Sequence, residues 1–496
     1  MRTETPLSLA ALALVVACAG DPPATALTAA ATTGSSTGSS DTGAGEPTTG
    51  APASTSDSGG ASTSEATSST TTGTNTGSGS TAVDEPPLPG CGDAPPDDFD
   101  AEASAPADGA TIAGPTGSLE VTIGGTLLAD ATARFYLREV HELTDADDFT
   151  IVVLPDTQNY SQFIGNYPQY KAQTKWVWDH RNTDRIVAVL HNGDVVQHGN
   201  LIATEWTRAV EAMATLETEA PKFPDGIPYG IAVGNHDNGA YAHDDEPFGT
   251  HLFNKHFGVA RFAGRAYYGG HHGDTNDNSW ILVRAGNLDI VMVSLEYRGE
   301  LGQDPAVLAW AKGIFEAHPH ALGIVNSHHI VKANGDFCVE GQQIYDVMKT
   351  VDNVQLMTSG HIKEFRARRT DVHKGRTIHS MLADYQDLIV PADGCAGGCG
   401  YLRIWRFSPK HDRLAVETYS PSLDKSMTGP QEQFTLTVDL SAATGVFELA
   451  GATSGPGEQL ALPVDGLKSG AIYEWYAVVK ECGARVTTPK RSFTVE

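Results

Sequence analysis

The most constraining feature of this chain is a repeated arrangement. An apolar run stops abruptly at a small group of oxygen- or nitrogen-bearing side chains. The run from Ile227 to Val233 ends at Gly234 and is followed at once by Asn235, His236 and Asp237. The run beginning at Phe149 ends in Asp156-Thr157-Gln158, and the one beginning at Ile186 ends in Gly193-Asp194. Leu322 begins a run ending in His328-His329, and Val354 one ending in Gly360-His361. Short apolar runs bounded by turn residues read as buried strands. An α/β fold is expected, and such folds place their chemistry in the loops past the carboxyl ends of strands. A lone Gly-Asn-x-x stretch would be only a turn after a strand. Five such ends point to one shared site, and Asp, Asn, Gln and His donors suit borderline to hard divalent ions.

In this order, Asp156, Gly193-Asp194, Gly234-Asn235-His236-Asp237, His328 and Gly360-His361 resemble the calcineurin-like metallophosphoesterase family, over roughly residues 149–441. The resemblance implies an αββα sandwich with a two-metal site at the strand ends, and hydrolysis of a phosphomonoester or phosphodiester. It implies Asp156 and Gln158 on the first metal, Asp194 bridging both, and Asn235, His328 and His361 on the second. His328 is preferred to His329 because the first of such a pair aligns with the family ligand. His236 would protonate the leaving oxygen or stabilise developing charge, with Asp237 orienting its ring. The donors do not distinguish Fe, Mn and Zn. Two departures fall on the first metal. The family pattern Asp-x-His is Asp156-Thr-Gln158 here, and Gly-His-x-His is Gly360-His361-Ile-Lys363. A protonated lysine has no lone pair to give a metal, so one tightly held divalent ion and one weak or absent ion are expected.

The ends of the chain read differently. Residues 1–18 resemble a bacterial lipoprotein leader. The apolar stretch from Pro6 to Ala17 is too short to span a bilayer, and Val15-Val-Ala-Cys18 resembles a lipobox. This implies lipid on Cys18 and an exported protein held at the outer membrane or cell surface. Residues 19–100 are dominated by Thr, Ser, Gly and Ala. Such a stretch cannot bury enough apolar surface to offset its ordering entropy, so a flexible tether is expected. Residues 101–142 and 449–496 alternate apolar and polar positions, as in Ser118-Leu-Glu-Val-Thr-Ile and Ile472-Tyr-Glu-Trp-Tyr-Ala-Val-Val. They resemble the first and last strands of a fibronectin-III or immunoglobulin-like sandwich. Either half alone would expose an apolar face. A single small all-β sandwich is therefore expected, with the phosphoesterase domain inserted in it.

Within the central region, helices are expected from Pro168, along the face Trp206, Val210, Met213 and Leu216, and after Asp304-Pro305. Residues 238–280 read as an insertion over the site mouth. Its His243, His251, His256, His271 and His272 read as surface or packing groups. Stretches near residues 381–386, 400–404 and 417–421 read as closing strands of the second sheet.

The formal net charge of −28 argues against tight nonspecific nucleic-acid binding, because an acidic surface repels phosphate backbones. The basic run Lys363, Arg366, Arg368, Arg369, Lys374 and Arg376 reads as a solvated strand face or as a phosphate-attracting rim. Export permits disulfides. Cys395 and Cys399 are spaced to close a small loop, and Cys91 with Cys482 would staple the tether to the sandwich; with Cys338 the cysteines beyond Cys18 are odd in number, so at least one thiol is free or pairs between chains. Two function classes follow. One is a lipid-tethered extracytoplasmic phosphoesterase. The other is a surface binding or adhesion protein with a degenerate phosphoesterase core.

Overall fold

The computed structural model describes residues 98–125, 130–239, 249–363, 365–440 and 447–496. The leader with Cys18, the tether up to residue 97, Cys91 and His243 lie outside the described residues.

Two seven-stranded sheets form the central region. The first runs Lys425–Met427, Arg413–Ser420, Leu402–Ser408, Phe149–Leu154, Ile186–His191, Tyr229–Ile231, with Phe434–Thr437 beside Arg413–Ser420. The second runs Arg366–His373, Arg376–Ala383, Val354–Ser359, Leu322–Ser327, Leu288–Leu295, Ser279–Ala285, Tyr268–His271. The strands that carry the polar ends pair in parallel: Phe149–Leu154 with Ile186–His191 and that with Tyr229–Ile231, and Leu322–Ser327 with Val354–Ser359. Parallel strands buried on both faces explain why the runs are continuously apolar.

The period of two is visible in which core each side chain enters. In Leu288–Leu295, Ile290 and Met292 share a core with Ile151, Val153 and Leu190 of the other sheet. Val291, Val293 and Leu295 point the opposite way, into a core with Val307, Phe315 and Ile344. The latter three lie on helices Pro305–Ala317 and Val339–Met348. Helices Tyr167–His180 and Ala203–Met213 contribute Tyr170, Val177, Trp206 and Met213 to the first core. Helices therefore cover the outer faces of two stacked sheets, a mixed α/β architecture. Asp304 caps its helix by accepting from the Ala306 N–H at 2.8 Å, a contact whose loss costs about 1 kcal/mol.

Two expectations are corrected. Leu402–Ser408 and Arg413–Ser420 belong to the first sheet: Leu402–Ser408 runs antiparallel to Phe149–Leu154, with Trp405 opposite Ile151. Of the three stretches assigned to the second sheet, only Arg376–Ala383 lies there. An alternating strand pattern says which side is buried, not which strand will be its neighbour. Within 238–280, residues 251–262 form two short helices that bury Phe253, Phe257 and Phe262 in the first core. The His256 ring stacks on Trp206 at 5.7 Å.

Strands from the two ends of the chain interleave. Ala131–Glu139 lies between Glu448–Gly455 and Ile472–Glu481, and Gly117–Gly124 lies between Asp100–Ala105 and Gln459–Val464. Val121, Ile123 and Phe135 share one core with Leu460, Trp475 and Phe493. This module meets the central region at His320, whose ring lies 4.4 Å from Tyr476 and 4.7 Å from Phe447.

Cys395 and Cys399 form a disulfide, and Cys338 is buried. Cys482 is also disulfide-bonded. The arginines of the basic run are engaged locally: Arg366 with Glu432 at 2.5 Å, Arg369 with Asp371 at 2.7 Å, Arg376 with Asp352 at 3.3 Å, and Arg368 over the Phe434 ring. Among the described residues no helix is long and apolar enough to cross a membrane.

Candidate metal centre

Each polar group follows the last residue of a parallel strand, so the loops from both sheets converge. Their approach is too close for side chains at two glycines. A Cβ on Gly234 would lie 2.1 Å from Asp194 Oδ1, and one on Gly360 would lie 2.1 Å from Asp156 Oδ1. Asp194 and His361 themselves adopt positive φ, at 50° and 75°. Such backbone costs about 1–3 kcal/mol per residue and persists only where the surroundings enforce it.

Four donor atoms from three strand ends and the Gly360 loop converge. Asn235 Oδ1 lies 3.0 Å from His328 Nε2 and 2.9 Å from His361 Nδ1. The two imidazole nitrogens are 3.1 Å apart, and Asp194 Oδ1 is 3.3 Å from His328 Nε2. Donors bonded to one divalent ion at about 2.1 Å stand roughly 3.0–3.4 Å from each other. His328 donates from Nδ1 to the Asn192 carbonyl at 2.9 Å, which turns Nε2 toward the cluster. An imidazole ligand needs this kind of outer partner to hold its ring.

The neighbouring half is built from carboxylates and an amide. Asp156, Gln158 and Asp384 are all buried. Asp156 Oδ2 accepts from the His361 N–H at 2.6 Å, and Gln158 Nε2 donates to Asp194 Oδ2 at 3.0 Å. The Asp156 and Asp384 carboxyl groups are close enough to shift each other's protonation. No donor reaches Asp156 Oδ1, Gln158 Oε1 or Asp384 Oδ2. Buried orphaned oxygens of this kind are costly unless a cation or water completes them.

The two halves differ in protonation. Burial lowers His361 well below the usual imidazole range, and the neighbouring His328 pushes the same way. Burial also disfavours a charged His328, but the Asp194 carboxylate overrides it and raises the ring to about 9. Burial would raise Asp194 too, yet His328 and His236 hold it below its ordinary value. Burial and the adjacent Asp384 raise Asp156 well above the carboxylate range, and burial lifts Asp384 to about 6.

The expected role of Asp237 is corrected. Its carboxylate accepts from the N–H groups of Gly234, Val195 and Val196 at 2.9, 2.9 and 3.1 Å. It therefore ties the Asn-His-Asp loop to the Gly193-Asp194 loop. The His236 ring donates from Nδ1 to the Gln197 carbonyl at 2.9 Å. That leaves Nε2 facing Asp194 Oδ2 at 3.8 Å. Adjacent residues in a loop seldom face each other, and the orienting group comes from the next loop instead. The Lys363 ammonium lies 3.8 Å from Asp387, on a side chain about one-third exposed.

Sequence reasoning gave Asp384 no role. The signal was present, since the strand Arg376–Ala383 ends in Asp384-Tyr-Gln386 just as the others end in donors. His329 also lies at the site, with its ring 4.4 Å from His361 and lowered to about 3, first by burial.

Among the described residues no three His, Cys, Asp or Glu side chains stand ready-made around a metal position. The convergence above depends on the Asn235 amide oxygen as a donor. The donor chemistry and the orphaned oxygens fit a divalent cation.

The model of the calcineurin-like phosphoesterase family matches residues 149–365. Over those residues the central region is similar to calcineurin-like phosphoesterases. Over 393 residues the chain is 30% identical to the uncharacterized protein YvnB of Bacillus subtilis (strain 168). That match covers 72% of this chain and 28% of YvnB, so the chain spans little more than a quarter of that relative. The crystal structure of the calcineurin-like phosphoesterase YfkN from Bacillus subtilis aligns at TM-score 0.26 and 11% identity, over 62% of this chain and 90% of that one.

Proposed function

We propose that this chain hydrolyses phosphoesters with the help of divalent metal ions. The observation that carries the reading is a convergence of donor atoms: Asn235 Oδ1, His328 Nε2 and His361 Nδ1 lie 2.9–3.1 Å from one another, and Asp194 Oδ1 lies 3.3 Å from His328 Nε2. These four would hold one ion. Asp156, Gln158 and Asp194 would hold the other. A bound divalent ion supplies charge neutralisation for the phosphate and a more acidic water.

The chain's own groups do the rest. His328 keeps Nε2 toward the cluster because its other nitrogen is committed to Asn192. His236 keeps a proton on Nδ1 for Gln197, so the proton it transfers is the one at Nε2, delivered to the leaving oxygen. Asp237 positions the loop rather than the ring. We propose further that the protein is exported and lipid-anchored at Cys18, on the strength of the leader sequence, and that the interleaved terminal strands form a fibronectin-III-like module.

A panel of mono- and diester substrates, such as p-nitrophenyl phosphate and bis(p-nitrophenyl) phosphate, tests the reading with added Mn²⁺, Zn²⁺ or Fe²⁺. Metal-stimulated hydrolysis is expected. Absence of turnover in protein that demonstrably holds metal would favour the second reading, a surface binding protein with a degenerate core. Gln158 and Lys363 are the residues that motivate it.

A further inference from the structure

We propose that Asp384 is a metal ligand of the carboxylate half of the site, taking the place of an imidazole that this chain lacks. The inference rests on the metal-dependent reading above and extends it to a residue outside the expected ligand set.

Three observations carry it. First, the strand Arg376–Ala383 runs parallel to Val354–Ser359, so Asp384 leaves its strand at the same end as His361 leaves its own. The Asp384 N–H donates to the Phe365 carbonyl at 3.1 Å, which ties this strand end to the loop after His361. Second, the residues following Asp384 are bolted to the first motif. Asn159 Nδ2 donates to the Gln386 carbonyl at 2.6 Å and to Asp387 Oδ1 at 2.8 Å. Asp384 is thereby fixed beside Asp156 and Gln158. Third, its carboxylate is fully buried against Asp156. Oδ1 accepts from the Gln386 N–H at 2.8 Å, while Oδ2 has no donor.

Two neighbouring buried carboxylates are an arrangement that persists only if a proton or a cation is shared, and the cationic partner beside Asp156 is the His328 ring at 3.7 Å. The orphaned Asp156 Oδ1 and Gln158 Oε1 lie in the same half. With Asp384 counted, that half offers three carboxylates and one amide oxygen: Asp156, Asp194, Asp384 and Gln158. This all-oxygen set suits a harder ion than the imidazole half does, with manganese favoured over zinc.

Titration of the full chain with MnCl₂, followed by the electron paramagnetic resonance of free Mn²⁺ and by elemental analysis, tests the assignment. Wild type is expected to bind two Mn²⁺ per chain. Asp384→Asn is expected to weaken the second by at least about tenfold and leave the first unchanged. Two Mn²⁺ bound equally well by wild type and variant would overturn the assignment and leave the metal-dependent reading intact. A single Mn²⁺ in both would do the same. No bound Mn²⁺, Zn²⁺ or Fe²⁺ in either would overturn the metal-dependent reading itself. Circular dichroism checks that the variant folds. Should it not fold, manganese anomalous scattering from Mn²⁺-soaked wild-type crystals replaces it. A second peak bonded by an Asp384 oxygen is expected, and a second peak without that bond overturns the assignment.

Discussion

The two halves of the site are built on the same plan and furnished differently. Both hang on loops past parallel strands, and both need a glycine where loops cross, Gly234 in one and Gly360 in the other. The imidazole half pairs one carboxylate, Asp194, with a His328 ring raised to about 9. His361 is held in its neutral, lone-pair form by burial, and the Asn235 amide carries no charge. The carboxylate half offers acids, and burial presses Asp156 and Asp384 toward protonation. A half whose one carboxylate is paired with a charged imidazole can stand without its ion at modest cost. A site of buried acids cannot, because each charge loses its hydration. Identical backbone placement thus gives two halves that both exchange protons for metal, one from the His328 imidazolium and the other from its buried carboxyl groups.

The largest effect is expected at Asp194, the side chain both halves share. Asp194→Asn should lower turnover by roughly 10³-fold or more and weaken metal in both halves. Asn tolerates the left-handed backbone found there. Elemental analysis beside steady-state kinetics checks this, and loss of metal from only one half would break the idea of a shared ligand.

Next comes His236, which belongs to neither half as a ligand. His236→Ala should cut turnover by about 10²–10⁴-fold with metal content nearly intact. A metal-free His236 variant would move this residue into the ligand set.

A smaller effect separates the halves by pH in protein stripped with chelator. The folded-state values of Asp156 and Asp384 are raised above the ordinary 3.8. The stabilising contribution of Asp384 is therefore complete below about 4 and is lost as pH rises through about 6, and that of Asp156 is lost as pH rises in the same direction. The His328 value is raised from 6.5 to about 9, so its contribution is complete below 6.5 and is lost as pH climbs through about 9. Thermal melts from pH 4 to pH 9.5 should show two separate declines. Asp384→Asn should flatten the lower one, and His328→Asn the upper. A single decline abolished by either variant would mean that the halves titrate as one unit.

The smallest effect concerns Lys363. Its partly exposed pair with Asp387 is worth no more than about 1 kcal/mol, so Lys363→His should leave stability nearly unchanged. It should tighten the ion of the carboxylate half by several-fold, read as metal retained after dialysis. Wild-type protein that already keeps two equally tight ions would erase the contrast between the halves.

Much of this site could be read from the chain. The residues singled out at five strand ends come together across two sheets, because a strand end that stops in donors must present them at one edge of its sheet. Other parts could not be read. Asp237 follows His236 directly, yet the ring takes its partner from Gln197 and the carboxylate serves the Gly193 loop. Asp384 carries the same strand-end signature, but its partner Asp156 lies far away in sequence. The helix Val339–Met348 covers the second sheet without having been expected, since its apolar positions are few and begin after a cysteine cap.

By itself the sequence determined the local units: buried parallel strands, the donors at their ends, the glycines between them, and alternating strands at both ends of the chain. These follow from side-chain period and turn chemistry, which act over a few residues. Tertiary structure alone decided the neighbours. It set Leu402–Ser408 beside Phe149–Leu154, put Ala131–Glu139 between Glu448–Gly455 and Ile472–Glu481, and placed Asp384 against Asp156. Pairings of this kind depend on the free energy of many contacts between distant segments, and no single stretch of chain contains them. Protonation followed from the same cause, because a carboxylate is an acid or a ligand according to what the fold buries beside it.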